Sequence, residues 1–141
     1  MYSVLAPWRE PLYGLARIVF GLAFAQHGLQ KIFGALGGRA QPLASLLGVA
    51  GILELGGGLL ISVGLWTPLV AFVLAGEMAV AYFTQHVPRG LFPIQNGGEL
   101  AVLYCFAFLY LSARGGCALS LDSLRGTPDA ASRGGRANSR M

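Results

Sequence analysis

The segment Gly51-Ile-Leu-Glu-Leu-Gly-Gly-Gly-Leu-Leu60 decides the fold, because it places one carboxylate, that of Glu54, in a run that is otherwise apolar or glycine. Read as a helix, the segment puts glycines 51, 57 and 58 on the same face as this carboxylate, three or four residues away from it. Small residues on one face let another helix approach closely. We therefore expect Glu54 to be buried against a neighbouring helix and to contact a polar group there.

The composition of the whole chain indicates a membrane protein. Of its 141 residues, 55% are hydrophobic and only 11% are charged, with a mean hydropathy of +0.61. A soluble domain carries about 25% charged residues. The length suits one compact domain whose partner is the lipid bilayer. The net charge of +4 comes mostly from the ends of the chain, so it does not favour nucleic acid as a partner.

Four apolar segments predict transmembrane helices, which need about 20 residues each. The fourth reaches that length only if it begins near Asn96, and Thr67 followed by Pro68 predicts the N-cap of the third. The predicted spans are residues 12–33, 46–65, 69–86 and 96–114. In the first span Gly14, Gly21 and Gly28 recur every seven residues and so form one face of small residues. This face could pack closely against the glycines near Glu54.

These spans predict an all-α fold, an integral membrane four-helix bundle over residues 1–122 with both termini cytoplasmic. Seven arginines fall on the side of the termini, against Lys31, Arg39 and Arg89 on the other, which is the distribution of the positive-inside rule. Residues 123–141 are rich in Arg, Gly and Ser, and we expect them to form a disordered basic tail.

Polar residues within the spans predict one buried cluster. His27 and Lys31 lie four residues apart on one face of the first helix, while Glu54 and Glu77 fall near the middle of the second and third. Glu99 begins the fourth helix. A charged group at such depth costs roughly 2.5 to 3.5 kcal/mol, so these side chains face the bundle interior and meet one another.

Purely structural roles for the same residues remain open. Lys31 could extend to the membrane interface, and the two central carboxylates could fix the helix register. Asn96-Gly-Gly-Glu99 has the spacing of an N-cap residue and its N3 carboxylate. Cys105 and Cys117 form no Cys-x-x-Cys motif, and the sequence predicts no metal site.

An ordered set of short motifs resembles the DoxX family of small bacterial membrane proteins. The set covers residues 16–122, and no single motif in it is decisive. Its members are Ala16-Arg17, Gln26-His27-Gly28 with Lys31, Leu53-Glu54-Leu55-Gly56-Gly57-Gly58, Leu65-Trp66-Thr67-Pro68, Glu77-Met78, Asn96-Gly97-Gly98-Glu99 and Ser120-Leu121-Asp122.

The resemblance implies a multi-pass protein of the bacterial inner membrane with a redox role, since the family takes its name from a subunit of a thiosulfate:quinone oxidoreductase. It carries the family's polar positions onto Arg17, His27, Lys31, Glu54, Glu77 and Glu99. Cys117 departs from the family's usual ending, where arginine or proline often stands.

Our hypothesis from the sequence is a quinone site. His27, Glu54 and Glu77 would transfer protons, and Lys31, Glu99 and Arg17 would contribute to binding and charge balance. Four aromatic residues would line the ring pocket, namely Phe20, Phe24, Phe83 and Phe106. Two alternatives stay open: a non-catalytic membrane scaffold that holds a redox enzyme or forms a homo-oligomer, and a small proton-coupled transporter.

Overall fold

Helices make up the secondary structure of the described chain. The structure is a computed structural model that describes Val4 and residues 6–125, and it contains no strand among them. The all-α prediction is therefore confirmed. A 3-10 turn at Ala6–Trp8 precedes the first long helix, and a π turn (Tyr82–His86) and a 3-10 turn (Val87–Arg89) extend the third. The helices are α1 (Arg9–Phe33), α2 (Leu46–Val63), α3 (Thr67–Ala81), α4 (Pro93–Asn96), α5 (Glu99–Arg114) and α6 (Leu121–Leu124).

The four long helices pack as two pairs. Helix α1 runs along α2, α3 runs along α5, and a smaller contact between α2 and α3 joins the pairs. Aromatic contacts between α1 and α5 close the arrangement, with Phe24 edge-on to Phe108 at 4.8 Å between ring centroids. All four helices contribute side chains to the fully buried core, which includes Phe24, Ile61, Leu74, Phe108 and Leu111.

Glycine brings α1 and α2 into backbone contact. A Cβ atom added to Gly58 would lie only 2.6 Å from the carbonyl oxygen of Gly21 and 2.7 Å from the amide nitrogen of Ala25. One added to Gly51 would lie 2.8 Å from Cβ of Lys31. No real side chain fits in these gaps, so the predicted small-residue interface between the first two helices is confirmed.

Two helical stretches are long and apolar enough to cross a membrane, namely Leu46–Val63 and Thr67–Arg89. Helix α1 has 25 residues but carries several charges, and α5 has only 16 residues. The prediction that all four long helices cross a membrane stays a prediction.

The third and fourth predicted spans begin at other residues than expected. Helix α3 begins at Thr67 with Trp66 as its N-cap, so the predicted Thr67 cap is wrong. Helix α5 begins at Glu99 rather than near Asn96, because Gly97 adopts a left-handed conformation with φ of 70° and interrupts the helix.

The boundary of the predicted tail also differs. Residues 121–124 form the short helix α6, so order extends past residue 123. The rest of the predicted disordered tail, residues 126–141, lies outside the described residues.

Two buried charges hold the end of the molecule where α2 turns into α3. The carboxylate of Asp122 accepts hydrogen bonds from the amides of Trp66 and Thr67, at 2.7 and 2.8 Å, and so caps α3. The guanidinium of Arg17 donates to the carbonyl oxygens of Ile61 and Leu119, both at 2.7 Å. A carboxylate at a helix N-terminus and a cation at a helix C-terminus both match the helix dipole.

The close contact between α1 and α2 predicts that alanine has different effects on stability at two nearby glycines of α2. We expect Gly58→Ala to destabilise the protein by about 1 to 3 kcal/mol, because the new methyl group meets backbone that cannot move aside. Gly56→Ala is the control, since no described atom outside its chain neighbours and the nearby backbone of its own helix lies within 4 Å of its added Cβ. Chemical denaturation in detergent, followed by circular dichroism, measures both. Equal losses of stability would contradict the proposed contact.

Candidate functional site

A cavity of about 470 Å³ lies between the two helix pairs. Its lining comes from the C-terminal halves of α1 and α3 and the N-terminal halves of α2 and α5, so it occupies the end of the molecule opposite Arg17 and Asp122. Most of the lining is apolar. The ionisable side chains that line it are His27, Lys31, Glu54, Glu77 and His86 together with the phenol of Tyr104. The structure thus brings together four of the residues that the sequence placed in one cluster.

Glu54 and Lys31 form an ion pair in the wall of this cavity. The ammonium nitrogen of Lys31 lies 2.5 Å from Oε1 of Glu54, whose side chain is only 3% exposed. Lys31 can lie across α2 because Gly51, one turn before the carboxylate, has no side chain to block it. The expectation that Glu54 meets a polar group on a neighbouring helix is confirmed. Its second oxygen, Oε2, is buried without a hydrogen-bond partner among the described residues.

Glu77 has no such partner. Both of its carboxyl oxygens are buried and lack a hydrogen bond from any residue that the structure describes. The charged groups close enough to act on it are Glu54 and Lys31. One lysine balances one carboxylate, so a second negative charge here would be uncompensated in an apolar setting. Among the ionisable groups that line the cavity, Glu77 has the fewest hydrogen bonds from the described residues relative to its buried polar atoms.

Aromatic edges flank the imidazole of His27. Its ring is edge-on to Phe24 and to Tyr104, with centroids 6.3 and 6.1 Å apart. Phe24 and Tyr104 are themselves in contact, at 5.0 Å between centroids. The polar tip of the histidine therefore emerges from an aromatic surface built by α1 and α5.

His86 is a cavity residue that the sequence did not predict. Its Nδ1 lies 3.3 Å from the carbonyl oxygen of Asn96, and its ring stacks on Tyr82. In a regular α-helix, nine residues of separation place His86 about 180° away from Glu77. The π turn at Tyr82–His86 winds more widely and changes this register, so His86 also reaches the cavity. No helical periodicity in the sequence reveals such a turn.

Two predicted binding residues lie outside the cavity. Arg17 is fully buried at the opposite end, where backbone carbonyls use its donors. Glu99 is exposed at the first residue of α5 and does not line the cavity. Its predicted capping partner Asn96 is not the N-cap, which is Gly98; Asn96 instead accepts a hydrogen bond from the Gly98 amide at 2.7 Å.

The predicted aromatic lining is right only for Phe24. Phe20, Phe83 and Phe106 are exposed on the outer surface and do not line the cavity. Their assignment to the ring pocket is wrong, because their positions face away from the neighbouring helix pair. Tyr104, which the sequence did not single out, provides the second aromatic wall.

Comparison with known proteins adds the family. The family model described as DoxX matches residues 13–87, more than half of the chain. The chain belongs to the DoxX family. The matched region contains α1 from Tyr13 onward, α2, α3 and the π turn, and hence every charged or imidazole side chain that lines the cavity.

One relative of this DoxX protein is an uncharacterized protein of Haemophilus influenzae. It is 42% identical over 126 residues, which cover 84% of this chain and 94% of the relative. No solved structure matches the chain.

The Lys31–Glu54 pair makes a prediction about stability. Lys31→Met should cost about 3 to 5 kcal/mol, because it leaves a buried carboxylate without its counter-charge. Adding Glu54→Gln should restore most of that loss, since the second change removes the orphaned charge. Denaturation of both variants and of Glu54→Gln alone in detergent gives the coupling energy.

A surface pair provides the control for this cycle. Glu10 pairs with Arg114 where both side chains are partly exposed to the surroundings. Glu10→Gln should therefore cost less than about 1 kcal/mol. If Lys31→Met lowers the free energy of unfolding no more than Glu10→Gln does, the Lys31–Glu54 ion pair does not stabilise the fold as predicted.

Proposed function

We propose that this DoxX protein is an integral, multi-pass inner-membrane component of a redox system, and that its cavity binds a quinone taken from the bilayer. The observation that carries the proposal is the cavity itself. It combines an apolar wall that opens sideways with an ion pair, an unpartnered carboxyl group and a histidine.

The exposed surface supports a membrane location. Each long helix presents large apolar side chains outward, among them Val19, Ile52, Phe72 and Phe106. Such a surface is unusual on a soluble monomer and typical of lipid contact. We propose that α1, α2, α3 and α5 each cross the membrane. The arginine distribution supports the further proposal that both termini lie in the cytoplasm and the cavity in the outer half of the bilayer.

The cavity fits a quinone ring in size and in chemistry. Its volume lies within the range of about 300 to 1,000 Å³ that small-molecule sites occupy. Leu53, Val73 and Val80 line it and are also 37% to 53% exposed, so it opens toward lipid between α2 and α3. An apolar molecule dissolved in the bilayer could enter there. Phe24 and Tyr104 line the inner side with two aromatic rings whose planes are tilted by 58° to each other.

Four side chains have distinct roles in this proposal. A bound quinone supplies two-electron, two-proton chemistry. His27 donates a hydrogen bond from a ring nitrogen to the carbonyl oxygen of the ligand and can transfer a proton to that oxygen. Glu77 holds a proton on its carboxyl group, to which no described residue forms a hydrogen bond. Lys31 balances the negative charge of Glu54, so that a neutral ligand meets no net charge from the pair.

A second candidate is a membrane scaffold that acts through protein contacts. Gly56 and Gly76 are exposed on α2 and α3, and no described atom lies near the position of their missing side chains. Exposed glycines on lipid-facing helices allow a further helix to approach closely. A redox enzyme or a second copy of the chain could bind there without any role for the cavity.

Bound quinone is the first prediction of the proposed function. Mass spectrometry of lipids extracted from the natively purified protein should find about one quinone per chain. We expect His27→Ala with Glu54→Gln to lose it, because that variant removes the carbonyl contact and unbalances Lys31. Glu99→Gln is the matched control, since it neutralises a carboxylate outside the cavity and should retain the quinone. A wild-type protein without quinone that keeps a protein partner would instead favour the scaffold.

Topology is the second prediction. In a background that lacks Cys105 and Cys117, a membrane-impermeant maleimide should label Arg39→Cys in intact cells, because that loop faces outward. Leu124→Cys should react only after the cells are permeabilised. Labelling of both sites from outside would refute the four-span arrangement with cytoplasmic termini.

A further inference from the structure

Helix α5 is too short to cross a bilayer by itself. Its 16 residues span about 24 Å, whereas the hydrocarbon core is about 30 Å thick. Its partner in the helix pair, α3, continues through the π and 3-10 turns as a stretch of 23 residues, Thr67–Arg89. The two helices of this pair therefore differ in length by several residues.

Contacts between the two helices show where the difference lies. Ser112 near the end of α5 donates a hydrogen bond to the carbonyl of Pro68 at the start of α3, at 2.8 Å, so these ends are level. At the other end, the Cβ position of Gly98 lies 2.8 Å from the ring of Tyr82. The helical residues after Tyr82, up to Arg89, thus extend beyond the start of α5. Residues 90–98 lie beside this extension of α3, in the position that a longer α5 would fill.

Two backbone carbonyls and one backbone amide of this segment form hydrogen bonds with side chains of the protein. Asn96 is only 3% exposed, and its side chain donates to the carbonyl of Gly90 at 2.6 Å and accepts from the amide of Gly98 at 2.7 Å. The hydroxyl of Tyr82 donates to the carbonyl of Leu91 at 2.6 Å. Irregular backbone is tolerated at membrane depth only where internal partners of this kind replace water.

The three large apolar side chains of the segment point outward, as does the polar side chain of Gln95. Leu91, Phe92 and Ile94 are 67%, 61% and 78% exposed, and no residue from 90 to 98 is charged. A loop in water normally exposes its polar groups and hides its large apolar ones. The neighbouring helices continue the same kind of surface, since Phe83 and Leu103 are also largely exposed.

We propose that residues 90–98 form a lip inserted in the membrane, with Leu91, Phe92 and Ile94 in contact with lipid acyl chains. The lip completes the crossing that α5 leaves about 6 Å short. It also forms part of the cavity rim, because Gly97 lines the cavity beside Leu100. Asn96 is the positioning residue, because its side chain supplies hydrogen bonds to the backbone of the lip at Gly90 and Gly98 in place of water. This inference rests on the membrane location proposed above, and it is independent of quinone binding.

Tryptophan fluorescence in vesicles of brominated phosphatidylcholine tests the lip. In a background with Trp8→Phe and Trp66→Phe, three single-tryptophan variants are compared: Phe92→Trp in the lip, Phe72→Trp on the exposed face of α3, and Arg39→Trp in the other loop. We expect the brominated lipid to reduce emission of Phe92→Trp and Phe72→Trp by at least about twofold, because bromine quenches only at acyl-chain depth. Aqueous iodide should quench Arg39→Trp instead.

The variants separate failure of the lip from failure of the membrane location. If Phe72→Trp escapes quenching by the brominated lipid, the protein does not lie in the bilayer as proposed, and the lip is rejected with it. If Phe72→Trp is quenched by lipid but Phe92→Trp responds only to iodide, the lip alone is wrong.

Asn96→Ala in the Phe92→Trp protein examines the positioning role. It should move the reporter toward iodide quenching while the circular dichroism spectrum is unchanged. Unchanged lipid quenching would overturn the role assigned to Asn96.

Discussion

The backbone contact between α1 and α2 is the constraint on which the rest of the structure depends. Where Gly58 meets Gly21, no side chain separates the two helices. The same closeness at Gly51 lets Lys31 cross the face of α2 and reach the carboxylate of Glu54. A wider spacing would leave that carboxylate buried and alone, which a protein interior does not tolerate. The glycines thus permit both the packing and the charge.

Buried charges serve opposite purposes at the two ends of the molecule. Arg17 and Asp122 bond to the free backbone groups of the α2–α3 turn, so their charges are used by helix ends. At the other end, Glu77 has no bond from the described residues, and one oxygen of Glu54 also lacks one. A satisfied charge holds the fold together. Arg17 donates three hydrogen bonds to backbone carbonyls, and only its Nε lacks a partner among the described residues. Both carboxyl oxygens of Glu77 lack one beside a cavity, and they are available to a ligand.

The cavity joins the two environments that the proposed quinone site would need. Its side opening is apolar and suits a ligand that lives in lipid, while its rim carries His86 and Gln85 toward the loop end. Family membership covers α1 to α3, and α5 adds Tyr104 as the opposite wall. The site is therefore assembled from both helix pairs, and neither pair alone encloses it.

The sequence by itself determined the helices, the burial of Glu54 and the meeting of His27, Lys31, Glu54 and Glu77. These follow from helical periodicity and from the cost of a charge among apolar residues, which act locally. Only the tertiary structure decided that Asp122 caps α3 from 55 residues away and that Glu99 stays outside. It alone brought His86 to the cavity through a π turn. Contacts distant in the chain and changes in helical winding leave no periodic trace in a sequence, so packing alone can place these residues.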